Sequence, residues 1–95
     1  MRKIKWIQDG EDGLIRCRVG SVIMRCIPYH TVRGCRLRWF ANISIREISG
    51  TFRFGPIRKS KDGAKRDAIR IAKEMLDDYR TCLEAEMANF ADKEF

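Results

Sequence analysis

Seven arginines, Arg16, Arg18, Arg25, Arg36, Arg38, Arg46 and Arg53, recur in short alternating runs of this 95-residue chain, and the chemistry they offer is anion recognition. A guanidinium is a planar fork of N–H donors that matches phosphate oxygens and the edge of guanine. Phe40, Asn42, Ser44 and Thr51 fall among them. Asn reads adenine, Ser and Thr bind phosphate, and a phenyl ring meets a thymine methyl or stacks on an unpaired base.

Other chemistries lack their parts. Of the four cysteines, Cys17, Cys26, Cys35 and Cys82, no pair has C-x-x-C spacing, and His30 is the single histidine. No metal and no cofactor is therefore expected. The acids gather in the last third of the chain, and no Gly-rich phosphate loop or Ser/His/Asp set occurs, so the expectation is a protein that is not an enzyme.

The net charge of +7 is unevenly divided. Residues 1–60 carry 13 Lys and Arg against 4 Asp and Glu, a net +9, and residues 61–95 carry 7 against 9, a net −2. Ten of the first 13 are Arg. A surface that is only solvated would mix Lys with Glu, and that plainer reading competes with anion binding.

Hydrophobic periodicity supplies the elements that must position these groups. With 44% hydrophobic residues the chain holds enough for one core. The segment 14-LIRCRVGSVIMRCI-27 alternates on both sides of Gly20-Ser21, which predicts a hairpin with a two-residue turn. Arg16 then lies directly opposite Arg25, a like-charge pairing that folding does not ask for. Cys17 and Cys26 fall on the apolar face as packing thiols. A second hairpin is read from 36-RLRWFANISI-45 through Ser49-Gly50 into 51-TFRFGPI-57, placing Ile45 opposite Phe54 inside and Arg46 opposite Arg53 outside. A longer loop over residues 47–50 would shift these pairs. Residues 3–8 form an edge strand or an arm, with Trp6 sealing the core, and are followed by the turn-rich 9-DGEDG-13. Residues 29–34, with His30 and Arg33, read as a loop to which no role is assigned.

From Ser60 the period becomes helical. Ser60 suits the N-cap and Asp62 the first turn, and Ala64, Ala68, Ile71, Ala72, Met75, Leu76, Tyr79, Cys82 and Leu83 form one stripe. A helix from Lys61 to about Ala91 would run roughly 45 Å, against about 30 Å for a nine-residue strand. Either it breaks near residues 80–82, or Met87, Phe90 and Phe95 overhang the sheet. The fold class expected is α+β in one domain: an arm or edge strand over 1–13, an antiparallel sheet of three to four strands over 14–57, and a helix over 60–91 packed on one face.

The pattern 39-WFANI-43, 50-GTFRFGPI-57 and 60-SKDGAKRDA-68 resembles the AP2-like DNA-binding domains of plant transcription factors and of the arm-binding domains of phage and transposon integrases. The likeness covers about residues 35 to 78 and rests on short, largely structural motifs. Trp39, Ala41 and Ile43 match core positions of the family's strand, and Ala64 and Ala68 match its close helix–sheet contact. The resemblance implies a three-stranded sheet in the DNA major groove with Arg36, Arg38, Phe40 and Arg53 toward bases or phosphates. Residues 3–8, the long hairpin of residues 14–27 and an extra residue between Gly55 and the helix cap depart from the family pattern. A stand-alone module of this kind fits a small phage or mobile-element protein.

The leading expectation is therefore a basic protein that binds duplex DNA through Arg16, Arg18, Arg25, Arg36, Arg38, Phe40, Asn42, Arg46 and Arg53, with Lys61 and Lys65 at the rim of the sheet. The rival is a phage-type inhibitor or adaptor that docks the same basic face on an acidic host protein, since Arg also serves binding hot spots. A third reading, RNA or single-strand binding, has one outward aromatic, Phe40, where stacking platforms carry two or three. The overhanging helix end offers a homodimer seam. With neither a membrane-length apolar run nor a secretory signal, the expected location is the cytoplasm and no membrane is expected as partner.

Overall fold

Alternation on either side of Gly20 closes into the hairpin that it predicts. The computed structural model describes residues 4–8, 13–30, 36–46 and 52–91. Strands β2 (Ile15–Val19) and β3 (Val22–His30) pair Val19 with Val22, Cys17 with Met24 and Ile15 with Cys26 on the inner face, and Arg16 with Arg25 on the outer. Gly20 takes φ +59, a left-handed conformation at which a Cβ is strained. The strand runs on through Tyr29 and His30, so the first two residues of the expected 29–34 loop belong to the sheet. Pro28 did not end it.

β4 (Leu37–Ile45) lies along the whole of β3, from Val22 opposite Ile45 to His30 opposite Leu37. Two short edge strands complete the sheet, β1 (Ile7–Gln8) beside β2 and β5 (Phe52–Phe54) beside β4. The result is a five-stranded antiparallel meander in chain order, one strand more than the upper expectation. The edge-strand alternative for residues 3–8 is the one realised, at Ile7 and Gln8.

Helix α1 (Lys61–Phe90) covers the inner face. Its cap is the expected one: the Ser60 hydroxyl oxygen accepts the Gly63 backbone N–H at 3.1 Å. Ala64, Ala68, Ile71, Ala72 and Met75 are buried against Cys17, Val22, Met24, Cys26, Ala41, Ile43 and Ile45, and Trp6 packs at the margin of this core. Burial ends at Met75, yet α1 continues unbroken for four more turns. Leu76, Tyr79, Leu83, Met87 and Phe90 stand exposed along that extension. Of the two fates for an over-long helix, overhang is the one taken, and it stretches the molecule to 63 Å in its longest dimension.

The β4–β5 pairing departs from the expected two-residue turn. Asn42 lies opposite Phe54, Ile43 opposite Arg53 and Ser44 opposite Phe52, a register three residues away from the expected one and different also from the one that a loop over residues 47–50 would give. The shift reverses the faces of β5. Arg53 points to the helix side, where its guanidinium donates to Asp78 at 2.8 Å, and Phe52 and Phe54 are 56% and 58% exposed on the outside. The cause lies at Gly55, whose N–H donates to the Ala41 carbonyl. A Cβ there would meet Ile71 Cδ1 at 3.2 Å, Ala41 Cβ at 3.3 Å and Asp67 Cβ at 3.4 Å. The inner side of β5 has no room for a phenyl ring at this crossing. The Ser49-Gly50 turn, Thr51, Arg33, Cys35, Phe95 and most of the 9–13 turn lie outside the described residues.

The close approach at Gly55 makes a signed prediction. Where space allows, Gly→Ala stabilises by restricting the unfolded chain, by about 0.4–1 kcal/mol. Gly55→Ala is expected instead to destabilise by about 1 kcal/mol through overpacking. Urea denaturation reads the sign, and a stabilised variant contradicts the account.

Candidate nucleic-acid interface

The uncovered side of the sheet is ordered in rows by the register. One row runs Ile7, Arg16, Arg25, Asn42, Phe54 across all five strands. The next runs Arg18, Ile23, Ser44, Phe52, and toward the other end Ile27 lies opposite Phe40 and Tyr29 opposite Arg38. Arginines thus dominate the β2–β3 side, aromatic rings the β4–β5 side, and Arg36 stands exposed just ahead of β4. Arg16, Arg18, Arg25, Arg38, Phe40 and Asn42 share the face as expected. Arg46, exposed in the turn after β4, is anchored by its backbone N–H to the Ser21 carbonyl at 2.8 Å.

One expected member of the face stands elsewhere, and the two rim lysines lie beside the helix–sheet seam. Arg53 is on the helix side, held by Asp78, and its expected pairing with Arg46 is replaced by Ile43. Lys61 and Lys65 also lie on the helix side, their ammonium groups 5.7 Å from the Trp39 ring centroid and 5.8 Å from that of Trp6. These cation–π contacts stabilise the helix–sheet seam. They do not put the lysines on the arginine face.

Electrostatics separates the arginines into two groups. On the helix side four have a carboxylate, Arg53 with Asp78, Arg58 with Asp67, Arg70 with Glu74 and Arg80 with Asp77, and Arg66 on the exposed side of α1 has none among the described residues. On the outer side Arg18, Arg25 and Arg38 have no such partner among the described residues, whose Asp and Glu all lie on α1. Arg18 Nε donates to the Gly20 carbonyl at 3.2 Å and Arg38 to the Leu37 carbonyl at 3.3 Å, which are neutral acceptors. Arg25 sits with Arg16 on one side and Asn42 on the other. No family model, curated protein or solved structure matches this chain. The surface must therefore be read from its own chemistry.

The residues that sequence reasoning missed are Tyr29, Phe52 and Phe54. With Phe40 they form a chain of rings, with centroids 5.8 Å apart for Tyr29–Phe40, 6.0 Å for Phe40–Phe54 and 5.5 Å for Phe52–Phe54. The alternation Arg25, Ile27, Tyr29 carried the signal for Tyr29, obscured by Pro28. Phe52 and Phe54 had none, because their side of the sheet depends on Gly55.

The buried thiols point away from this face. Cys17 and Cys26 are free and lie in the core. Burial raises both above the ordinary thiol value, Cys26 to about 11 against a small opposing pull from Lys65. At neutral pH they are protonated packing groups. Among the described residues no helix is long and apolar enough to cross a membrane.

Proposed function

We propose that this chain binds nucleic acid, duplex DNA in the first instance, by laying the outer face of its sheet on the phosphodiester backbone. The observation that carries the reading is the division of the arginines. Those facing α1 have carboxylate partners within the fold, while Arg18, Arg25, Arg36 and Arg38 face outward with no carboxylate partner among the described residues. Side-by-side guanidiniums repel in the free protein, and bound phosphates neutralise them.

The width of the face says how it would lie on a duplex. Strands spaced about 4.8 Å apart put β2 to β5 across about 14 Å, whereas the major groove is roughly 12 Å wide. The outer strands then meet the phosphate ridges, and Arg25, Asn42 and Ser44 on the middle strands β3 and β4 are the ones placed toward base edges. The resemblance of residues 35 to 78 to AP2-like domains supports the same orientation, with the helix behind the sheet. Arg53 drops out of the contact set.

Binding should weaken steeply with salt. Four neutralised phosphates correspond to a log–log slope of about −3.6, measurable by fluorescence anisotropy on a mixed-sequence duplex. A protein that shows no binding at about 50 mM salt, where such contacts are strongest, does not have this function.

A further inference from the structure

From the rings on the β4–β5 side we infer a site for one unpaired nucleobase, in the open depression between β3, β4 and β5. The inference rests on the proposed nucleic-acid binding and specifies what that face selects. The depression encloses about 340 Å³ and is lined by Tyr29, Phe40, Phe54, Gly55 and Ile57. Gly55 contributes backbone to its lining, and three aromatic rings with Ile57 supply the rest.

Nothing inside the protein uses these rings as core. They stand on the face opposite α1, and Phe54 is more than half exposed. Their mutual tilts of 68° for Tyr29–Phe40 and 46° for Phe40–Phe54 mean that no ring is stacked flat on the next. Phe54, the most exposed of the three, leaves the most ring surface to a ligand. An apolar dish alone would suit many partners, but this one is bordered by Arg38, opposite Tyr29, and by Asn42, opposite Phe54. The ligand that combines a flat π-system with an attached anion is a nucleotide, its base on the rings and its phosphate on the guanidiniums.

A perfect duplex cannot fill such a site, because each of its bases is stacked on its neighbours and only edges and backbone are offered to a sheet. A base that has left the stack can fill it. The site therefore favours single strands, and duplexes with an unpaired base, over a fully paired duplex of the same length.

Anisotropy with three labelled probes tests this on the full chain: a short mixed-sequence duplex, the same duplex carrying one bulged thymidine, and an oligothymidine strand. The bulged duplex is expected to bind more tightly than the paired one. Phe54→Ala is expected to weaken binding to the bulged and single-stranded probes by about fivefold to a hundredfold, with less than a twofold change on the paired duplex. Phe54→Leu, which keeps apolar bulk without a π-face, should behave as the alanine variant does. Because Phe54 lies outside the core, unchanged thermal unfolding will show that both variants are folded. Tight binding to the paired duplex with no discrimination and no effect of Phe54 would overturn the base site and leave the proposed function standing. An absence of binding to all three probes would overturn both.

Discussion

Arg25→Glu is expected to make the protein more stable while removing most of its nucleic-acid affinity. Arg25 lies directly opposite Arg16 in the β2–β3 ladder, a cross-strand pair of like charge. Reversing one sign turns repulsion into attraction, for about 0.3 to 1 kcal/mol of added stability and a rise of about 2 to 6 °C in Tm for a domain of this size. The same change places a carboxylate in the middle of the face that meets phosphates. One contact is lost and one repulsion gained, so the salt slope should become shallower by about 2. Duplex affinity at about 100 mM salt should fall by more than about tenfold, as when a charge is misplaced in an electrostatic interface.

The opposite signs of these two effects give the experiment its force. A variant that merely misfolds loses stability and binding together. Arg25→Gln, which removes the charge at similar length, should lie between the parent and the glutamate variant on both scales. Unchanged affinity in a stabilised glutamate variant would mean that the arginine pair serves some other purpose than holding phosphate.

Asp67→Asn has the largest effect expected on the fold itself. The Asp67 carboxylate is buried, and it accepts both Nε and an Nη2 of Arg58, at 2.6 and 3.1 Å, with Arg70 at 3.5 Å. Arg58 in turn is joined to β4 by reciprocal backbone hydrogen bonds with Trp39, at 2.6 and 2.8 Å. One carboxylate thus fastens α1 to the segment that crosses from β5 to the helix cap. Because the Arg58 guanidinium is half exposed, it regains water when the partner is lost. The cost is then that of a charged hydrogen-bonded contact, about 2 kcal/mol at neutral pH, below that of a fully buried pair.

The pH dependence follows from the direction of the shift. The Arg58 hydrogen bonds hold the Asp67 carboxyl below its usual range, burial pulls it back up, and the charges of Arg58 and Arg70 lower it again. A carboxylate depressed in the folded state adds stability that is complete above its unfolded value, about 3.9, and is lost as pH falls through the folded value. Urea denaturation should therefore separate parent and variant by a constant margin from about pH 5 to 8. The margin should shrink below about pH 4. Equal separation at pH 3 and pH 7 would assign the effect to packing rather than to charge.

Much of this molecule is legible in short stretches of its chain. The β2–β3 register follows from alternating residues around Gly20-Ser21, because a two-residue turn leaves one pairing and the apolar residues choose the inner face. Arg16 opposite Arg25 comes with it. The helix start follows from Ser60, but the stripe through Leu83 left open a break near residues 80–82, and only the structure carries α1 unbroken to Phe90. Tyr29 was hidden by Pro28, since proline ordinarily marks a strand's end, and β3 carries it through to His30.

The β5 face was not legible, and it decides what the outer surface is. Phe52, Arg53 and Phe54 alternate equally well with either side inward, so no local pattern chooses between them. Contacts far along the chain do: Gly55 against Ile71 and Asp67, and Arg53 with Asp78, 25 residues away. By itself the sequence determined a sheet with one arginine-bearing side and a helix on the other, because periodicity and turn chemistry are properties of neighbouring residues. Only the tertiary structure turned Arg53 inward and Phe52 and Phe54 outward, because that choice depends on how closely the helix can lie over one glycine.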